Sequence, residues 1–361
     1  MHIGIIGLPQ SGKTTVFNAL TGSSAATGMG GAKDMNQSIV KVPDERIDAL
    51  SKMFKPKKTT PATVTYLDLC GLGRGKITSD SINAEFLASL RATDAVLMVV
   101  RRFKDDSVAH PLDSIDALRD ADNLNAEIMF ADLIVVEKRL ERIDKDMKKG
   151  VTKELEREKE LMIKFKALLD DGKPIRLQPL TPFEESVIKG FRFLTQKPLF
   201  LLVNIDEGEL KSADAAAAAF AAYSKLPRTK VLALSAKIEA EMAQLSEEEA
   251  SAFRADLGLS EPALKRLIKE SYELLGLISF LTAGEDECRA WTIARGTVAQ
   301  KAAGEIHSDL EKGFIRAETV AYADLVACGG MNECKTAGKQ RLEGKEYVVQ
   351  DGDIINIRFN V

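Results

Sequence analysis

Residues Gly7-Leu8-Pro9-Gln10-Ser11-Gly12-Lys13-Thr14 decide the fold, because they fit G-x-x-x-x-G-K-[ST]. Each part has a physical job. The glycines let the main chain curl so that successive N–H groups face one phosphate. Lys13 supplies a point charge for β and γ oxygens. The Thr14 hydroxyl is a hard oxygen ligand of the kind Mg2+ prefers. The apolar run His2–Ile6 just before the loop reads as a buried strand. The run Thr14–Leu20 just after it reads as a helix whose positive end faces the same phosphates.

Working outward, Ser38–Val42, Thr63–Asp68, Ala95–Val100, Leu199–Asn204 and Val231–Ser235 also read as strands with helical stretches between them. That alternation predicts an α/β fold with a mostly parallel sheet and crossover helices. Asp68-Leu69-Cys70-Gly71 ends the third strand. Taken alone, D-x-x-G is equally an ordinary strand-end turn. In register after a phosphate-binding loop, it places an aspartate for Mg2+ and a glycine N–H for the γ-phosphate.

The pattern changes between about Asp122 and Asp170. Ala126, Met129, Leu133, Val136, Leu140, Ile143 and Met147 recur three and four apart, which predicts one apolar seam on a long helix. Gly150 breaks it, and Leu155, Met162, Phe165 and Leu169 share one side of a second helix. An inserted antiparallel helical hairpin fits the length better than two ordinary crossover helices. From Ile278 onward, Ile278–Leu281, Ala290–Ala294, Tyr347–Val349 and Ile354–Phe359 read as strands of a small α+β domain. The expected division is therefore residues 1–120 with 191–276 for nucleotide binding, 121–190 for the hairpin and 277–361 for the last domain.

Composition narrows the function classes. Lys plus Arg number 50 against 54 Asp plus Glu, a net charge of -4. No whole-molecule attraction to nucleic acid follows, so an RNA contact has to come from a local patch, and no DNA partner is expected. Four cysteines without a CxxC pair, and three histidines, give no basis for a zinc site. Reduced thiols and a cytoplasmic location are the plainest expectation. No apolar run approaches membrane-spanning length, and MHIGIIGLPQ lacks a basic n-region and a cleavage site.

The base-reading end is Asn204-Ile205-Asp206-Glu207. Guanine-specific enzymes place N-K-x-D there, the aspartate accepting the N1–H and N2–H2 donors of guanine. Here Ile205 replaces that lysine and the longer Glu207 replaces that aspartate, which weakens the case for GTP. At this point the chain closely resembles the YchF/Obg-like ATPase family, whose members carry N-x-x-E and prefer ATP. The likeness extends through Gly7–Thr21 (GLPQSGKTTVFNALT), Ala290–Gly296 (AWTIARG), Glu311–Thr319 (EKGFIRAET) and Tyr347–Asp353 (YVVQDGD), in the family's order.

The resemblance implies a P-loop domain, the helical insertion and a C-terminal TGS domain with a β-grasp fold. It implies that Gln10, Ser11, Gly12, Lys13, Thr14 and Thr15 wrap the triphosphate of ATP and that Thr14 binds Mg2+, which Asp68 of the D-x-x-G motif would hold through water. Asn204, Ile205 and Glu207 would contact the base, with Ser235, Ala236 and Lys237 at its far edge. Leu72 matches the family's apolar residue in place of a water-orienting glutamine, so hydrolysis would use another group. His110 falls where the family has a histidine on a mobile loop thought to assist hydrolysis; by itself, a histidine in Val108-Ala109-His110-Pro111 reads as a surface loop residue.

The chain also departs from the family. Gln10, Ser11 and Thr14 differ from its usual P-N-V-G-K-S-T. Ala25–Met35 replaces a phenylalanine-rich segment with a switch threonine; Ala32 stands in that place and Thr27 is the nearest threonine. The stretch Leu72–Asp80 lacks part of the family's glycine-rich loop. Lys52, Lys55, Lys57 and Lys58 form one basic group; Lys145, Lys148, Lys149 and Lys153 form another. Each reads as a solvated face or as a contact for ribosomal RNA, and the resemblance favours the second. The expected function is a Mg2+-dependent ATPase switch on the ribosome; a GTPase of the Obg class and a ribosome-binding adaptor with little hydrolysis are the alternatives.

Overall fold

The computed structural model describes residues 1–22, 36–69 and 84–360. Cys70, Gly71 and Leu72, the segment Ala25–Met35 with Thr27 and Ala32, and the rest of the stretch to Asp80 lie outside those residues. The strands, in chain order, are β1 (His2–Ile6), β2 (Asn36–Lys41), β3 (Lys58–Thr60), β4 (Thr63–Asp68), β5 (Ala95–Arg101), β6 (Leu199–Asn204), β7 (Thr229–Leu234), β8 (Leu277–Thr282), β9 (Glu287–Ala294), β10 (Phe314–Ala321), β11 (Arg341–Glu343) and β12 (Asp353–Phe359). The chain divides into two compact units.

The first unit holds Met1–Ser38 and Thr65–Leu264. Its sheet has the order β2-β4-β1-β5-β6-β7, and β4, β1, β5, β6 and β7 run parallel. Every residue of β5 (AVLMVVR) and β6 (LFLLVN) is buried, as expected for parallel strands covered on both faces. The chain winds outward in both directions from β1, so the carboxyl ends of β1 and its neighbours frame a crevice at a topological switch point. Helix α1 (Lys13–Thr21) leaves that crevice and stops at Gly22, whose φ of 62° suits glycine.

The helical hairpin is built from α2 (Ala117–Met147) and α3 (Lys153–Asp170). Asp116 caps α2 by accepting the Arg119 N–H at 3.0 Å, and Thr152 caps α3 by accepting from Leu155 N–H at 3.2 Å. The single seam expected along the first helix is really two. Its N-terminal half packs on the sheet through Ala117, Ala121, Leu124, Ile128 and Ala131. Its C-terminal half packs with α3 through Val136, Ile143, Leu161, Met162, Phe165 and Leu169. Ala126, placed on the seam by spacing, is exposed. The apolar stripe drifts around a straight helix as its partner changes from sheet to helix.

The second unit holds Ile39–Val64 and the chain from Lys265 onward. Its sheet has the order β11-β10-β12-β8-β9-β3. Phe280, Ile293, Ala302, Ala303, Phe314 and Ile355 lie in its core. Sequence reading assigns residues 39–64 to the nucleotide-binding domain and opens the last domain at 277; the structure groups 39–64 with the C-terminal chain. Pairing explains it. β3 runs parallel to β9, Lys58 opposite Glu287, and Thr60 Oγ1 donates to Glu287 Oε1 at 2.6 Å. Arg46 bridges Asp44 and Asp351, with closest approaches of 2.8 Å to each. Tyr347–Val349, read as a strand, is not one; Val348 makes an isolated bridge to Val298.

Candidate nucleotide site

The phosphate loop follows β1 directly. Gly12, at φ 91°, begins α1, and an added Cβ would run into the Asn204 side-chain amide. Glycine is thus required there by both conformation and space. Gln10 also takes a left-handed φ of 62°. Ser11 N–H donates to the Leu8 carbonyl at 3.3 Å, which closes the curl. The first-turn N–H groups of α1, at Lys13, Thr14 and Thr15, have no intrahelical acceptor and carry the positive end of the helix. Lys13 Nζ donates to the Leu8 carbonyl at 2.6 Å, folding its charge back over the loop.

Thr14 and Asp68 meet at the same mouth. Parallel register sets Asp68 beside Ile5, and the Thr14 hydroxyl donates to Asp68 Oδ2 at 3.0 Å. Asp68 is buried. Two hard oxygen donors side by side, with a lysine and a helix N-terminus adjacent, are a donor set that fits Mg2+ next to a polyphosphate. Among the described residues, no group of three or more His, Cys, Asp and Glu converges as a metal cluster.

The base-side residues also come together. Asn204 ends β6, buried; its Nδ2 donates to the Ser11 carbonyl at 3.1 Å, and its Oδ1 accepts from Ala236 N–H at 3.0 Å. One side chain therefore ties the phosphate loop to Ser235-Ala236. Ile205 is buried and anchored by N–H donation to the Leu234 carbonyl at 2.9 Å. Glu207 is exposed, its carboxylate 3.4 Å from Lys237 Nζ.

The start of the loop that carries His110, at residues 101–105, was not singled out by sequence reading and lines this end. Arg101 is 2% exposed, and its guanidinium donates to the carbonyls of Phe103, Val108 and Asp105. Arg102 pairs with Glu209 at 2.9 Å, and Lys104 N–H donates to Asp206 Oδ2 at 2.9 Å. The Phe103 N–H joins that of Arg102 in donating to the Asn204 carbonyl. The signal in the sequence was an arginine pair closing a fully apolar strand.

His110 sits farther along the same loop. Its Nδ1 accepts the Leu112 N–H at 3.1 Å, which leaves Nε2 to donate to Asp120 Oδ2 at 2.9 Å. Arg119 donates to the other oxygen of that carboxylate, at 2.9 Å. The His110 side chain is 5% exposed. The structure therefore joins His110 to the first turn of α2, and no hydrogen bond links it to the phosphate loop among the described residues.

The basic groups differ in how much of their charge is used. Lys57 and Lys58 pair with Asp286 and Glu287 inside their own unit. Lys145, Lys148 and Lys153 are exposed near the hairpin tip, and Lys149 lies 3.3 Å from Asp146. No helix among the described residues is long and apolar enough to cross a membrane.

Comparison with known proteins is consistent across the length of the chain. Residues 2–163 match the family model described as "50S ribosome-binding GTPase", and residues 277–360 match the model named YchF-GTPase_C, described as a protein of unknown function. The chain is 43% identical over 362 residues to the ribosome-binding ATPase YchF of Bacillus subtilis (strain 168), covering 99% of each. It is 37% identical over 365 residues to Obg-like ATPase 1 of Oryza sativa subsp. japonica, covering all of this chain and 92% of that one. The solved structure of the Schizosaccharomyces pombe YchF GTPase superposes with a TM-score of 0.88 at 34% identity, over 99% of this chain and 97% of that one.

Proposed function

The chain belongs to the YchF/Obg-like ATPase family, and we propose that it is a Mg2+-dependent ATPase that acts as a switch on the ribosome in the cytoplasm. The observation that carries this reading is the convergence of Lys13, Thr14 and Asp68 at one mouth, with Asn204 fixing the loop that holds them.

Thr14 and Asp68 would hold Mg2+, which when bound neutralises charge on the phosphate oxygens. Lys13 exchanges the Leu8 carbonyl for β and γ oxygens. Gln10, Ser11, Gly12 and Thr15 surround the phosphates with main-chain donors at the helix N-terminus. Catalysis is then mostly positioning and charge stabilisation. His110 assists hydrolysis once released from Asp120. Asn204, Ile205, Glu207, Ser235 and Ala236 frame the base. ATP preference is supported by Ile205 and by Glu207, which faces Lys237 rather than standing free to receive the two guanine donors. Ribosome binding is supported by the names of the relatives and by the exposed lysines of the hairpin tip, which suit RNA phosphates.

Calorimetry with ATP and GTP side by side, with and without Mg2+, tests the core of this reading. It expects ATP to bind at least tenfold tighter, about 1.4 kcal/mol. No affinity for either nucleotide with Mg2+ present would sink it. A second reading, an adaptor that binds ATP and scarcely hydrolyses it, is favoured by the engagement of both His110 ring nitrogens. Single-turnover hydrolysis with and without ribosomes separates the two.

A further inference from the structure

At the opposite end of the parallel sheet from the phosphate loop lies a cavity at the root of the hairpin. Leu199 opens β6 and forms one wall; Ile128 of α2 and Leu194 form others. Asn125, Arg176 and Lys197 supply the polar lining. β6 is six residues long, so about 17–20 Å of strand separates this cavity from the nucleotide site.

Arg176 is the unusual member. It is 9% exposed, and its Nη1 donates to the Thr195 carbonyl at 3.2 Å. Its Nε and Nη2 are buried without an acceptor among the described residues. For Arg176 itself, no neighbouring carboxylate among the described residues offsets the charge. Arg228 adds like charge, and the carboxylate of Asp122 is engaged by the Tyr223 hydroxyl at 2.7 Å. Lys197 donates to the carbonyls of Arg91 and Thr93, which uses two of its three N–H bonds. None of Arg176, Lys197 and Arg228 has a carboxylate within 4.0 Å among the described residues. Burial pushes Arg176 down to about 10 and Lys197 down to about 8, so both remain cationic at neutral pH.

We propose that this cavity is a binding site for a small monoanion of halide size, chloride in the first instance, held by the free N–H groups of Arg176 and by Lys197. Size selects the ligand class. The cavity has space on the scale of one small body, so a phosphate with its four oxygens is excluded and a halide enters with a small shift of the lining side chains. Charge separates a halide from water. A water accepts the two N–H groups but leaves the buried guanidinium without a counter-charge and with Arg228 as a like-charged neighbour, whereas Lys197 is partly offset by Asp94 and Asp132 and Arg228 by Glu185. A chloride accepts the same bonds and cancels the charge, and the apolar walls suit a weakly hydrated ion. Because the cavity joins α2, the chain returning from the hairpin and the sheet, the anion pins the insertion to the nucleotide-binding unit's core.

Thermal unfolding of the full chain in chloride and in gluconate, at equal ionic strength, tests the site. One bound ion lowers the unfolding equilibrium constant about tenfold for each tenfold rise in chloride above the dissociation constant, and gluconate does not reproduce it. In Arg176→Met the chloride dependence vanishes; in Lys197→Met it weakens. Crystals of the wild-type chain in bromide provide a readout that does not depend on a variant folding, with an anomalous peak expected between Arg176 and Lys197. A cavity holding water alone under bromide would overturn the proposal, as would a chloride dependence that is equal in wild type and Arg176→Met.

Discussion

Asn204 holds Ser11 from across the nucleotide-binding unit: Nδ2 donates to the Ser11 carbonyl at 3.1 Å, from a residue 193 positions farther along the chain. The same side chain accepts from Ala236 N–H. Both hydrogen bonds are buried, so removing the amide strands a carbonyl and an N–H together. Each such group costs about 1–3 kcal/mol when left unpaired. Asn204→Ala is expected to weaken nucleotide binding roughly tenfold to a hundredfold and to lower the melting temperature. Calorimetry and a thermal melt on one preparation check both. Unchanged affinity would mean that the loop keeps its shape without this tie.

Thr14 and Asp68 make a separable prediction about the ion. Under the proposed roles, Thr14→Ala removes a hard ligand and leaves the curl of the loop intact, whereas Lys13→Ala removes the charge proposed to meet the triphosphate. The first change is expected to abolish the gain in ATP affinity that Mg2+ gives wild type, while ADP binding without metal stays within about threefold. The second is expected to weaken triphosphate binding with or without Mg2+. Titration in EDTA and in Mg2+ tells them apart. Equal Mg2+ dependence in wild type and Thr14→Ala would remove Thr14 from the metal site.

His110 is held by Asp120, so the pair is expected to act as a unit. His110→Ala is predicted to lower single-turnover hydrolysis by roughly a hundredfold, the lower end of general acid–base effects, with ATP affinity unchanged. Asp120→Ala leaves the imidazole without its acceptor. It is expected to change the rate, but to add little in the double variant, because residues that touch one another couple. Full turnover by His110→Ala would exclude the histidine from the reaction and leave hydrolysis to the phosphate loop and its metal; turnover that is equally negligible in wild type and variant, with ribosomes present, would favour the adaptor reading.

The hairpin gives an expectation independent of the nucleotide. Phe165 is fully buried and meets Phe193 edge to face, with ring centroids 5.6 Å apart. Phe165→Ala is expected to cost about 3–5 kcal/mol of stability. Its core cluster is separate from the one beneath the phosphate loop, so ATP affinity below the melting range should change less than twofold. At the tip, changing Lys145, Lys148 and Lys153 to Glu should reduce ribosome co-sedimentation at low salt. The slope of log affinity against log salt should flatten by about one for each phosphate no longer neutralised.

What can be read from the sequence follows from how local each signal is. The buried parallel strands and the phosphate loop announce themselves in continuous apolar runs and in one spaced motif. β3 (KTT) and β11 (RLE) do not, because such short polar strands exist through their partners. The assignment of residues 39–64 to the second unit rests on Lys58 meeting Glu287 and Arg46 meeting Asp351, pairings more than two hundred positions apart. Periodicity places an apolar face on the long helix but cannot say that its partner changes midway, which is why spacing puts Ala126 on the wrong side. Buried Arg101 and Arg176 escape a sequence reading for a related reason. Arginine is read as a surface residue until the carbonyls, or the cavity, that receive its guanidinium are known.

The proposed preference for ATP over GTP rests on Ile205 and Glu207. Ile205 is packed inside, so it presents no ammonium at the base edge, and Glu207 reaches toward Lys237 at 3.4 Å. A carboxylate one methylene longer than aspartate, and paired with a cation, is badly placed to accept two parallel donors from guanine. Rejecting a base that then carries unpaired donors costs more than forgoing one hydrogen bond, because those donors give up water without compensation. The double change Ile205→Lys with Glu207→Asp is therefore expected to raise GTP affinity at least tenfold, about 1.4 kcal/mol, and to lower that for ATP. Lys237→Ala, which frees Glu207, should move the ratio in the same direction by a smaller factor. Competition of both nucleotides against one fluorescent analogue measures all three proteins on one scale. If the double variant kept the wild-type ratio, selectivity would have to come from the main chain at Ser235-Ala236 instead.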